Sequence, residues 1–334
     1  MAAQNNAPLP DGLDIAGYRI VKKIASGGFS IVYLAYDGEG NAVAIKEYLP
    51  SALALRQPGE LVPVVAKPHL AVFRIGLKCF FEEGRALARI VHPNVVRVLN
   101  FFRAHDTVYM VMAYESGHSL QEHIARAAAK GSRPGEQFVR QVFTGVCAGL
   151  REVHANKLLH LDLKPANIYL RTDGSPLLLD FGAARQTLHS DAPMLAPMYT
   201  PGFAAPELST RGATLGPWTD IYSLGAAMLA CMSCSTPQSV EARRAGDKLL
   251  EQLDKLVGRY SPELIDLVQA CLALDPLARP QSVFAIQKAL QAAPAKPLAA
   301  PSASASAKVA LQGEARGGWR GLVDRLGALG RGQG

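Results

Sequence analysis

Residues 160–167 read H-L-D-L-K-P-A-N, from His160 through Asp162 and Lys164 to Asn167. Within eight residues the stretch sets a carboxylate, an amine and a carboxamide at fixed offsets. Leu179, Asp180, Phe181 and Gly182 follow after one short segment. These groups suit phosphoryl transfer. A carboxylate can accept the proton of a hydroxyl nucleophile, a lysine can balance charge on a moving phosphoryl group, and Asn167 with Asp180 can hold Mg²⁺ through oxygen ligands. A polar loop with ordinary turn chemistry is the plain alternative, because Asp, Asn and Pro are common turn residues. The rest of the chain decides between the two.

At 334 residues the chain can bury one large core or two modest ones, and with 49% hydrophobic and 19% charged residues most of it is expected to fold. Its net charge of +7 is uneven: residues 294–334 hold six basic side chains against Glu314 and Asp324, a net of +4, which leaves about +3 for the rest. So mild an excess, with no zinc-finger or RNA-binding signature, argues against nucleic acid as a partner. Five scattered cysteines, Cys79, Cys147, Cys231, Cys234 and Cys271, match a reduced compartment. Cys231 and Cys234 lack a second pair at metal-ligand spacing and are read as packing residues at a helix end. Met1–Pro10 has neither a basic nor an apolar leader region, and the apolar run Tyr222–Met232 is too short to span a bilayer. A cytoplasmic, soluble protein is expected.

Taken in order, residues 1–17 read as disordered. Tyr18–Ala25 and Ile31–Tyr36 read as paired strands around Ser26-Gly27-Gly28-Phe29-Ser30. That hairpin either brings backbone N–H groups close to phosphates or is a bare turn. Ala42–Lys46, A-V-A-I-K, reads as a third strand ending in a lysine that needs an anionic partner or an exposed position. Residues 47–69, with four prolines, read as an irregular, partly helical insertion. Leu70–Val91 has helical periodicity and carries Glu82 and Glu83, either of which could reach Lys46. Two more strands, Val95–Phe102 and Val108–Met112, complete a five-stranded antiparallel sheet. Helices are then expected near 119–130, 136–155, 218–233, 240–256, 261–273 and 282–292. A β-rich unit followed by a helical one places a cleft near Tyr114–Gly117. Pro294–Ala307 reads as a flexible Ala/Pro/Ser linker. Trp319–Leu329 has helical apolar spacing but three glycines nearby, and is read as a frayed tail.

The ordered set of a glycine-bearing hairpin, A-V-A-I-K, a helix glutamate, H-L-D-L-K-P-A-N, D-F-G and Ala205-Pro206-Glu207 resembles the eukaryotic-like Ser/Thr protein kinases of bacteria, over about Tyr18–Gln291. The resemblance implies an α+β bilobal fold: an N-lobe (18–112) of five strands and one helix, a hinge (113–117), a mainly helical C-lobe (118–291), and a linker and basic tail (292–334). It implies ATP- and Mg²⁺-dependent phosphorylation of Ser or Thr hydroxyls on proteins, with Mn²⁺ as an acceptable substitute. Lys46 would contact the α- and β-phosphates and pair with Glu83, Asp162 would be the catalytic base, Lys164 would touch the γ-phosphate, and Asn167 and Asp180 would bind metal. Nucleotide would lie under Ala25, Ser26, Gly27, Gly28, Phe29 and Ser30, between Val32, Ala44 and Tyr169, with Met112 at the back of the pocket and the backbone of Ala113–Glu115 on adenine. Thr200 would help position the acceptor, Glu207 would pair with Arg279, and Asp220 would brace the catalytic loop.

Two departures from the family pattern stand out. Ala25 and Ser30 replace outer glycines of the G-x-G-x-x-G loop, which implies weakened ATP affinity. Leu161 replaces the arginine that precedes the base, so a phosphorylated activation loop has lost its usual charge partner. The loop between Asp180 and Glu207 also holds few acceptors, Thr187, Ser190, Tyr199 and Thr200, so activation by loop phosphorylation is not expected. A nucleotide-binding pseudokinase scaffold is the alternative function. Residues 315–330 are the stretch open to membrane-surface or partner contact. Neither the protein substrate nor the input signal is written in the sequence.

Overall fold

The computed structural model describes residues 6–181, 200–210 and 212–292. Gly182, the acceptors Thr187, Ser190 and Tyr199, and the expected linker and tail segments at 294–307, 315–330 and 319–329 lie outside the described residues. The described residues up to Gln291 form one compact unit.

The N-terminal half is built on an antiparallel sheet in the order β1-β2-β3-β4-β8-β7. Its strands are β1 (Asp14–Ile15), β2 (Tyr18–Ser26), β3 (Ser30–Tyr36), β4 (Ala42–Tyr48), β7 (Val98–Ala104) and β8 (Thr107–Ala113). Side chains alternate across a strand, and cross-strand partners share a face. The register pairs Val32 with Lys46 and Lys46 with Met110, and pairs Leu34 with Ala44 and Ala44 with Met112. Val32, Ala44, Lys46 and Met112 therefore line one face, while Ile31, Tyr33, Ile45, Glu47, Tyr109 and Val111 line the other. β4 is buried on both faces from Val43 to Tyr48, so each needs a cover.

Helix α1 (Leu70–Leu87) covers the Lys46 face. Its apolar side packs through Phe73 and Phe80 on Tyr48, with ring centroids 5.4 and 5.7 Å apart. Gly84 allows the approach to β7 and β8, since a methyl group there would collide with Phe101 and Met110. The opposite face is covered by what was expected to be disordered. From residue 6 onward the N-terminus is part of the fold: Leu9 is 1% exposed, its N–H donates to the Tyr33 hydroxyl at 3.1 Å, and Asp14–Ile15 adds a sixth strand to the expected five. Local composition suggested a loose leader; burial of Leu9 and Ile15 overrides it.

The insertion is also more regular than expected, with β5 (Ala54–Leu55) and β6 (Val64–Val65) paired and a single 3₁₀ turn at Lys67–His69 before α1. In the C-lobe, α2 (Leu120–Ala129) starts at a Ser119/Glu122 capping box, in which side chains satisfy the first helical N–H groups reciprocally. α3 (Glu136–Ala155), α4 (Pro217–Ser233), α7 (Pro262–Cys271) and α8 (Val283–Gln291) follow. The helix expected over 240–256 is two, α5 (Val240–Ala245) and α6 (Leu249–Asp254), because Gly246 is extended between them. α4 is buried almost all round, so Tyr222–Met232 is the centre of the lobe, and no helix among the described residues is long and apolar enough to cross a membrane. Strands β9 (Gly117–Ser119), β10 (Ile168–Arg171) and β11 (Pro176–Leu178) form a small sheet beside the loop that carries Asp162 and Asn167.

Candidate active site

The loop from the end of α3 to β10 carries the opening motif and brings its polar groups together. Lys164 Nζ donates to Asp162 Oδ2 and to Thr200 Oγ1, each at 2.8 Å, and the Thr200 hydroxyl lies 3.2 Å from Asp162 Oδ1. Asn167 Nδ2 donates to the Asp162 carbonyl at 2.8 Å and to Oδ2 at 3.0 Å. Asp162 thus has both carboxylate oxygens held from fixed directions, by residues two and five positions on in sequence and one thirty-eight positions away.

The loop is fixed from beneath by Asp220 on α4, which is fully buried. Its Oδ1 accepts the Leu161 N–H at 2.8 Å; its Oδ2 accepts the His160 N–H at 2.9 Å and meets His154 Nε2 at 2.8 Å. Burial opposes its ionisation, but these hydrogen bonds and the neighbouring histidines hold the carboxyl below the usual carboxylate range. One recipient of this brace is strained: Leu161 sits at φ +60°, a left-handed conformation that costs a branched L-residue roughly 1–2 kcal/mol. Its side chain is 2% exposed, so the position that holds arginine in the family pattern is occupied here by a core leucine.

His160 is fully buried and packs against Phe181, with ring centroids 4.5 Å apart and the planes tilted by 37°. Its Nδ1 accepts the Asp162 N–H at 3.3 Å, so its proton sits on Nε2 and is donated to the Leu179 carbonyl at 3.0 Å. Burial lowers its pKa, in keeping with a neutral ring. One imidazole thereby ties the segment carrying Asp162 to the segment carrying Asp180.

Lys46 reaches across the cleft to Asp180, Nζ to Oδ1 at 2.5 Å. Enclosure raises the Asp180 pKa, but the Lys46 charge and hydrogen bond outweigh that and leave it lowered. Glu83, buried at 5% exposure on α1, is three residues past Phe80, whose ring centre is 5.9 Å from the Lys46 ammonium, so helix and lysine meet at one point. Asp180 and Asn167 offer hard oxygen donors, and no group of three or more His, Cys, Asp or Glu side chains suited to a metal occurs among the described residues. A site of one carboxylate and one carboxamide fits Mg²⁺, which is typically held by one or two protein oxygens with phosphates and water completing its shell.

At the glycine-bearing hairpin, β2 and β3 converge on the turn 27–29, closed by Gly27 N–H donating to the Ser30 carbonyl at 2.9 Å. Ala25 and Ser26 pair with Val32 and Ile31. The turn tip is tied to the insertion: Leu49 N–H donates to the Phe29 carbonyl at 2.8 Å and Ser51 N–H to the Gly28 carbonyl at 2.9 Å. At the hinge, the Ala113 N–H is engaged by the Arg97 carbonyl at 2.9 Å, and Tyr169 donates its hydroxyl to the Glu115 carbonyl at 3.3 Å. The Glu115 carboxylate pairs with Arg171 at 3.1 Å. Further off, Arg279 forks onto Glu207 at 2.7 and 3.0 Å with both side chains buried, the expected ion pair.

Sequence reasoning missed two features. His154 had no signal beyond being a histidine at the end of an amphipathic helix. The buried Arg56–Glu47 pair was also missed; its only trace is that A-V-A-I-K-E-Y has too few exposed residues for a strand covered on one side.

The protein kinase domain family model matches residues 18–292, and the chain belongs to the protein kinase family. Among its relatives is the serine/threonine-protein kinase PknD of Chlamydia abortus, 28% identical over 300 residues, which covers 81% of this chain and 30% of that protein. The chain thus spans less than a third of the length of this curated relative. A solved structure titled PpkA-294 apo form is 33% identical with a TM-score of 0.75, covering 85% of this chain and 99% of that one. The kinase domain of Mycobacterium tuberculosis PknI, 22% identical with a TM-score of 0.61, shares the fold.

Proposed function

We propose that the protein phosphorylates Ser and Thr hydroxyls of protein substrates using ATP and Mg²⁺. The convergence of Asp162, Lys164 and Thr200 beside Asn167 and Asp180 carries this reading. When bound, the metal supplies charge neutralisation on the transferring phosphates. Asp162 takes the acceptor hydroxyl's proton, and Asn167 with Lys164 keeps its carboxylate aimed while Lys164 balances charge on the γ-phosphoryl group. Asp180 and the Asn167 carboxamide oxygen would hold the metal. Lys46 contacts the α- and β-phosphates with Glu83 as its carboxylate partner. The backbone at Ala113 and Glu115 meets adenine between Val32, Ala44, Met112 and Tyr169, under the Ala25–Ser30 turn.

Serine/threonine kinase names among the relatives support the acceptor class, and so does the bond from Lys164 to Thr200. The test is transfer of label from ATP to a generic protein substrate. Asp162→Asn is expected to lower the rate on the order of 10²-fold or more through loss of the base; equal rates for the two proteins would refute the assignment.

The Leu161 position further supports activity without a loop phosphate. A buried aliphatic side chain in place of arginine gives a phosphorylated residue no cation to order against at that point.

A further inference from the structure

Glu47 is the residue after Lys46 on β4, and its side chain points to the face of the sheet opposite the cleft. There it is fully buried with Arg56, which is 1% exposed. Arg56 forks onto it, Nη1 to Oε1 at 2.6 Å and Nη2 to Oε2 at 2.8 Å. The hydroxyls of Tyr33 and Tyr109 complete the carboxylate at 2.7 and 2.8 Å, and Arg56 Nη2 also donates to Tyr33 at 2.9 Å. A buried ion pair of this kind costs desolvation that an apolar pair would not, so stability alone does not account for it; its directional bonds fix geometry.

What they fix runs to the phosphate-facing turn. Arg56 Nε donates to the Ala7 carbonyl at 2.8 Å, the Ala7 N–H returns to the Arg56 carbonyl at 3.0 Å, and Asn6 Oδ1 accepts the Arg56 N–H at 2.6 Å. Asn6 Nδ2 donates to the Ala54 carbonyl at 3.2 Å. The Leu53 and Ala54 N–H groups close on Pro50, and Leu49 and Ser51 hold the carbonyls of Phe29 and Gly28, the latter also accepting the Ser51 hydroxyl at 3.2 Å. An unbroken set of bonds therefore joins residues 6–9, the insertion, the strand of Lys46 and the tip of the turn. At the tip of that turn Gly27 and Gly28 are exposed, so its shape depends on the bonds that hold it from the insertion.

We propose that residues 6–9 and 49–56 form a clamp that presets the Gly27–Ser30 turn and Lys46 for the phosphates of a nucleoside triphosphate, with Arg56 and Glu47 as positioning residues. The proposal rests on the nucleotide reading of the cleft. It lowers the ordering cost of binding, because a turn already held loses less freedom when phosphate arrives.

The test uses the full chain, with Arg56→Met and the milder Asn6→Ala. Three quantities are read on protein folded at the assay temperature: amide exchange at Gly27–Ser30 without nucleotide, the Kd of a non-hydrolysable ATP analogue with Mg²⁺, and KM for ATP against kcat. Arg56→Met is expected to speed exchange and raise both Kd and KM for ATP about tenfold, within the usual range of coupling between sites, while kcat at saturating ATP stays within about twofold. Asn6→Ala moves the same quantities less. A purely structural role would leave exchange at Gly27–Ser30, Kd and KM for ATP unchanged on the folded protein, and that result overturns the proposal. Should Arg56→Met fail to fold, Asn6→Ala decides by the same readings. If the wild type binds the analogue but transfers no phosphoryl group, the catalytic reading fails and the clamp is still judged by Kd and exchange. A wild type that binds no nucleotide overturns both.

Discussion

Replacing Asp220 by Asn is the sharpest test of how the catalytic loop is held. The substitution preserves shape and removes charge. Asp220 accepts from two backbone N–H groups and one imidazole at 2.8–2.9 Å with no solvent access. An Asn has one acceptor oxygen, so its NH₂ must face a donor. One buried backbone N–H then loses its partner, at about 1–3 kcal/mol, and the surviving bond falls from charge-assisted to neutral, about 1 kcal/mol more. The expected loss is about 3 kcal/mol, a large part of the 5–15 kcal/mol typical of a whole domain. For a domain of this size that corresponds to a fall in Tm of roughly 6–12 °C. Catalysis should suffer beyond stability. The Leu161 N–H is one of the bonds that keep Leu161 left-handed, and Asp162 is the next residue, so releasing it lets Asp162 move. A misplacement of about 1 Å costs on the order of 10²-fold in rate. Thermal unfolding and kcat on the folded fraction at 25 °C measure both effects. A variant with Tm within about 2 °C and kcat within about twofold of wild type would refute the brace, because the energies above leave no room for so small a change.

Acid sensitivity should trace partly to His160. Its folded pKa is depressed by burial, so below its unfolded value of about 6.5 the unfolded chain binds a proton that the folded chain does not; stability is full above that pH and falls as pH drops toward the folded value. The slope per such group reaches about 1.4 kcal/mol per pH unit, and His160→Gln should remove that share of it in urea melts between pH 6.5 and 5; an unchanged slope counts against the assignment. Phosphatase treatment of the purified protein should leave its specific activity within about twofold, because buried Leu161 offers a phosphate no charge partner; abolished activity would show the regulatory reading to be wrong.

Much of this was legible in the sequence because its signals are local. The apolar runs of β3 and β4, bounded by turn residues, and the helical apolar spacing of α1 are local signals, so these boundaries lie within a few residues of expectation. Signals that depend on remote partners misled. Residues 6–17 lack strong local propensity and on sequence alone read as loose, yet Leu9 and Ile15 are buried in the fold. The interval 240–256 has helical composition, but Gly246 breaks it.

The sequence by itself determined the chemical inventory. Asp162, Lys164 and Asn167 are close in the chain, so their offsets alone announce the groups needed for phosphoryl transfer, and the loss of arginine at Leu161 is visible without a fold. Only the tertiary structure decided where the charges rest: Lys46 on Asp180, 134 positions away, and Asp220 under the loop from sixty. The same holds for Arg56 and Glu47, whose pairing depends on the insertion folding back over the far face of the sheet. A side chain's partners across such distances are set by which surfaces must leave water together, a property of the packed chain and not of any short stretch of it.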